Sequence, residues 1–146
     1  MDRFDVLYED HRALLRLGRA LAETTRNYVG SDQAALVQNR CDLSKRVTAH
    51  LVREAGMVLA PLRESQEPAH QALARQYSEG LLTMRSESTA HHARWSLPAA
   101  LDDMAGYHAS VRRLVRGLAE RIAWEESEVF PAAASLPVNR IESLNA

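Results

Sequence analysis

Apolar residues recur at steps of three and four along almost the whole chain, and the strict alternation of β-strands is missing. Residues three and four apart share one face of a helix, so this pattern restricts the fold to helices packed through apolar stripes. Four runs carry it. The first, about Asp2 to Tyr28, places Phe4, Leu7, Leu14, Leu21 and Tyr28 in its stripe. The second, about 32–62, uses Leu36, Leu43, Val47 and Met57. The third, about 67–94, uses Leu73, Tyr77, Leu81 and Met84. The fourth, about 97–130, uses Leu97, Leu101, Met104, Val111, Val115, Leu118, Ile122 and Val129. The breaks read "VGSDQ", "RESQEP" and "WSLP". Ser31, Ser65 and Ser96 are the expected caps, since a hydroxyl accepts from the orphan amides two or three residues on. Pro61 and Pro131 are expected to end the second and fourth runs, and 135–146 forms a tail.

Four amphipathic helices with short connections predict an all-α, up-down-up-down four-helix bundle, with 1–146 as a single domain. A chain of 146 residues can bury one real core. A net charge of -1 gives no reason to expect nucleic acid or an anionic membrane as partner. No apolar run is long enough to span a bilayer. The N-terminal "MDRFDVLYEDHR" is acidic and does not read as a signal peptide. Cys41 is the only cysteine, so no internal disulfide forms, and a lone thiol suits a reducing, cytoplasmic setting.

Within the stripes lie polar residues that a core does not accept cheaply. His50 and Glu54 stand one turn apart between Val47 and Met57. An unpaired buried carboxylate costs several kcal/mol unless it takes up a proton. His11 falls between Leu7 and Leu14, His70 just before Leu73, and Glu125 between Ile122 and Val129. Up-down topology would bring the start of helices one and three to the level of the ends of helices two and four. His11, His50, Glu54, His70 and Glu125 are therefore the expected metal ligands. Singly, a seam histidine reads as a hydrogen-bonded core residue, and Glu125 can pair with Arg121 one turn earlier.

The segments "YEDHRALL", "HLVREAGMVLAPL", "AHQALARQ" and "RIAWEESEVFPAA" resemble, in order and spacing, the four ligand segments of the hemerythrin-like (HHE cation-binding) family. The likeness covers about Asp2 to Ala134. It implies a bundle holding a non-haem di-iron centre, with Glu54 and Glu125 as bridges, in a protein that binds or senses oxygen, nitric oxide or peroxide. The chain departs from that family twice. Arg121 stands where the fourth helix carries a histidine, and a guanidinium cannot ligate. Residue 74 is Ala where oxygen carriers show a second third-helix histidine. Three outcomes stay open: a di-metal centre completed by water or by Glu126, a mononuclear site for iron or another divalent metal, or a metal-free core in which Arg121 supplies the positive charge.

His91 and His108 fall on the seams of the third and fourth helices, offset from His70 and Glu125 by about 31 and about 25 Å of helix axis. They form a second expected cluster, for a metal, a haem edge or pH sensing, while His92 points away from the seam. The readings that follow are a metal-binding sensor of small ligands, or a metal-free regulatory domain with a protein partner. A di-iron oxidase is not expected, because such sites need more carboxylates.

Overall fold

The structure is a computed structural model that describes residues 2–137. Among these residues all regular structure is helical. The helices are α1 (Asp5–Arg26), α2 (Gln33–Glu54), α3 (Ala60–Glu64), α4 (Pro68–Arg94), α5 (Leu97–Asp102), α6 (Met104–Trp124) and α7 (Phe130–Ala134). A 3-10 turn, Gly30–Asp32, precedes α2.

Two joints depart from the sequence expectation. Neither Pro61 nor Pro131 ends its helix. A π-helical turn, Ala55–Leu59, links α2 to α3, and a second, Glu125–Val129, links α6 to α7. In each the next amide reaches five residues back, from Ala60 to the Ala55 carbonyl and from Phe130 to that of Glu125. Each proline then sits in the first turn of a fresh α-helical piece, where its missing N–H costs nothing. Both π turns begin at the level of the acidic seam residues, and such turns are frequent at functional sites.

The capping expectations divide. Ser96 caps α5 by accepting from the Ala99 amide, and a break at Asp103 divides the expected fourth helix, Asp103 capping α6 through the Gly106 amide. Ser31 lies inside the 3-10 turn and caps nothing there. Asp32 does the local work by accepting from the Val29 amide at 3.0 Å. Ser65 accepts from the Glu67 amide just outside α4.

Helix α1 packs along both α2 and α6, and α3 packs on α4. Two apolar clusters form the core. One gathers Phe4, Leu7, Val58, Leu59, Leu62, Ala74, Tyr77, Val129, Phe130 and Ala133. The other gathers Leu21, Leu36, Trp95, Ala100, Tyr107 and Val111. Gly18 lets α1 approach α6 closely: a Cβ there would stand 3.2 Å from Val115 Cγ2. No helix among the described residues is long and apolar enough to cross a membrane.

Candidate metal centre

Beside the first apolar cluster, α1, α2 and the α6 end send four polar side chains to one point. His11, His50, Glu54 and Glu125 are all buried, and one donor atom from each lies within 4.8 Å of the others. His11 Nε2 is 3.1 Å from His50 Nε2 and 3.1 Å from Glu125 Oε1. His50 Nε2 is 3.1 Å from Glu54 Oε2, and His11 Nε2 is 4.0 Å from Glu54 Oε1. A tetrahedral shell with bonds near 2.1 Å separates its donors by about 3.4 Å. The observed spacings bracket that value. Glu54 Oε1 is buried with no hydrogen-bond partner, a cost that a cation at the focus removes. Two imidazoles and two carboxylates form a donor set for a divalent transition metal. The buried cluster can hold one metal ion.

Each donor is held from behind. His50 Nδ1 is 3.1 Å from Asp10 Oδ2, and Arg53 clamps Asp10 with two hydrogen bonds of 2.8 and 2.7 Å. Phe130 stacks on the His11 ring, with centroids 5.0 Å apart. The Tyr77 hydroxyl donates to Glu54 Oε2 at 3.0 Å. Arg121 Nε forms an ion pair with Glu125 Oε2 at 3.0 Å, and its Nη2 donates to the Tyr77 carbonyl at 3.2 Å. The guanidinium also lies over the Tyr77 ring, 4.6 Å from the centroid. Gly80 makes room for it, since a Cβ there would come within 2.6 Å of Arg121 Nη1. Arg121 thus takes the outer oxygen of Glu125 and leaves Oε1 facing the focus.

In the protein without a cation, the two carboxylates divide their protonation. Burial drives Glu125 up, and the neighbouring Glu54 drives it further, to about 9 despite Arg121. Burial would also raise Glu54, but hydrogen bonds from His50, Glu125 and Tyr77 outweigh it and hold Glu54 low. One carboxyl therefore stays protonated, as expected where two such groups crowd each other. Burial would depress His50, yet Glu54 and Asp10 raise it. His11 is depressed, by burial first and then by the charge on His50. Asp10 is raised by burial but held low by Arg53 and His50. Burial and the two glutamates push the Tyr77 phenol far up, so it remains a donor.

Other expected ligands lie elsewhere. His70 does not join the four. Because α4 starts only at Pro68, His70 sits in its first turn, where Nδ1 lies 2.7 Å from Ser65 Oγ and Nε2 lies 3.6 Å from Glu67. The group that α4 offers is Tyr77, two turns further on. Glu126, expected as a substitute ligand, stands behind His11. Its carboxylate lies 3.5 Å from Nδ1, too far for a full hydrogen bond, and Nδ1 makes none. The second cluster does not form. His91 Nδ1 meets Ser110 Oγ at 2.7 Å, and His108 Nδ1 meets Thr25 Oγ1 at 2.9 Å. His92 is exposed. Among the described residues the four-donor group is the one cluster of its kind.

Asp10 and Tyr77 were not foreseen at the site. Asp10 carried a sequence signal, being an acidic residue in the same helical turn as His11. Tyr77 read as an ordinary stripe residue, and its hydroxyl gave no periodic sign. No family model, curated protein or solved structure matches the chain.

Proposed function

We propose that this protein is a metal-binding protein of hemerythrin-like kind, with four helical runs forming an up-down-up-down bundle around one divalent ion. The observation that carries the reading is the focus of four buried donor atoms from three helices, with Glu54 Oε1 left without a protein partner. The His11 and His50 imidazoles and the Glu54 and Glu125 carboxylates would hold the ion. Two carboxylates balance a dication, and Arg121 with Asp10–Arg53 adds local pairs that cancel nearby charge. The donor set is short of a di-iron complement: His70 and Glu126 lie outside it, and Arg121 occupies the fourth-helix histidine position. One ion is the count this set supports.

Iron is the ion we assign, on the strength of the mixed imidazole–carboxylate donors. Bound there, ferrous iron would supply an open position for a small ligand, namely oxygen, nitric oxide or peroxide. The residues of the chain do the rest. Phe130, Tyr77 and the apolar cluster exclude bulk water, and Tyr77 donates to Glu54. Arg121 fixes the rotamer of Glu125. A sensor or binder in a cytoplasmic setting, where Cys41 stays reduced, fits these features.

A second reading has an observation of its own. Arg121 already stands against Glu125 at 3.0 Å, so a metal-free regulatory domain working through its surface, with a protein partner, is the rival. Protein purified from iron-replete cells without chelators decides between them. About one iron per chain, with an absorption band appearing on addition of nitric oxide to the reduced protein, supports the first. Metal well below one per chain overturns it in favour of the second.

A further inference from the structure

The geometry points to Asp10 as a positioning residue that fixes the His50 ring so that Nε2 presents its lone pair to the metal. This inference deepens the proposed function and rests on it. A ligating imidazole must offer one bare nitrogen, and a carboxylate on the other nitrogen secures that state by holding the proton there. Asp10 is built for this. It comes from α1, faces a ring on α2, and is 1% exposed. Its Oδ2 stands 3.1 Å from His50 Nδ1.

The carboxylate is itself immobilised. Arg53 grips both oxygens in fork geometry, through Nε at 2.8 Å and Nη2 at 2.7 Å, and Arg46 approaches Oδ1 to 3.7 Å. Such bidentate pairs add orientation as well as attraction. The chain of contacts from Arg53 to Asp10 to His50 ends at the focus, 3.1 Å from Glu54. An Asp–Arg pair placed merely to join α1 and α2 would not need a third partner. The His11 side shows the contrast. Its Nδ1 faces Glu126 at 3.5 Å with no hydrogen bond and no guanidinium clamp, so His50 is the fixed donor of the two.

The test uses Asp10→Asn, whose amide has the same shape and can accept or donate toward Nδ1. Two quantities are read: the Co2+ dissociation constant of the whole chain, and the long-range 1H–15N correlations of His50 in the metal-free protein at alkaline pH. The expected result is a Kd raised about 10- to 100-fold, with the His50 proton shifted in the variant away from Nδ1 and toward Nε2, which faces Glu54 at 3.1 Å. An unchanged Kd and an unchanged ring overturn the proposal. If the parent chain takes up no Co2+ while the variant still loses the fixed ring state, the metal reading fails and the positioning role stands. Should Asp10→Asn not fold, Arg53→Met replaces it. That variant keeps the carboxylate and loses the clamp, and is expected to show the same two changes at smaller size. No change in either overturns the role of the clamp.

Discussion

Both ends of the core place histidines among helices, buried at one end and half-buried at the other, and they solve the problem in different ways. Beside the first apolar cluster, His11, His50, Glu54 and Glu125 converge on one point, and the two carboxylates can satisfy each other only through a proton that one of them carries. Beside the second, His91 and His108 each meet one hydroxyl, from Ser110 and Thr25. A hydroxyl donates or accepts as needed and satisfies the one ring nitrogen that faces it. Carboxylates cannot do that for one another, so they require a proton or a cation. Buried polarity alone is therefore a poor sign of a site. Convergence of groups that leave one another short is the informative one.

The largest effect expected from this contrast is on stability. Once Glu125 ionises, above about pH 9, Arg121→Ala strands it beside Glu54. There it should cost the metal-free protein about 3–5 kcal/mol, measured by urea unfolding above that pH. A loss below 1 kcal/mol would mean that the buried pair is not formed in solution. Next comes metal affinity. Glu54→Gln should weaken Co2+ binding by more than about 100-fold, beyond what loss of an outer partner does, while His91→Gln and His108→Gln leave it unchanged. Equal effects at both ends would erase the distinction between them.

A third prediction concerns pH. Burial, with nearby His92, Arg40 and Arg113, holds His91 down at about 4. Its folded-state pKa thus lies below the ordinary value of about 6.5. Stability from this end is full above that ordinary value and falls as pH drops toward about 4, because the unfolded chain takes up the proton first. The loss should be on the order of 1–3 kcal/mol, and His91→Gln should flatten that part of the stability curve. The smallest effect is Gly80→Ala. The intruding methyl meets the tip of a flexible side chain, so Arg121 shifts. We expect a cost of about 1 kcal/mol and a changed nitric oxide band, with metal still bound.

The sequence carried the helical runs because a 3.6-residue period is written in side chains such as Leu7, Leu14 and Leu21. The four residues that converge, His11, His50, Glu54 and Glu125, keep that period too. His70 was misplaced because the start of α4 at Pro68 and the hydroxyl of Ser65 decide where its ring goes. The continuation through Pro61 and Pro131 was hidden, since a π turn inserts an extra residue that no stripe announces. Asp10 lies in the same buried arc as His11, but its part is visible only once α2 brings Arg53 and His50 against it. The second histidine pair was over-read: His91 meets Ser110 and His108 meets Thr25.

The most direct test is an equilibrium titration of the metal-free chain with Co2+, followed by the visible d–d bands and by calorimetry. Saturation is expected at about one ion per chain, with bands of a four- or five-coordinate nitrogen–oxygen site, abolished in His50→Gln/Glu54→Gln. No saturable uptake, or uptake that persists undiminished in that double variant, would contradict it.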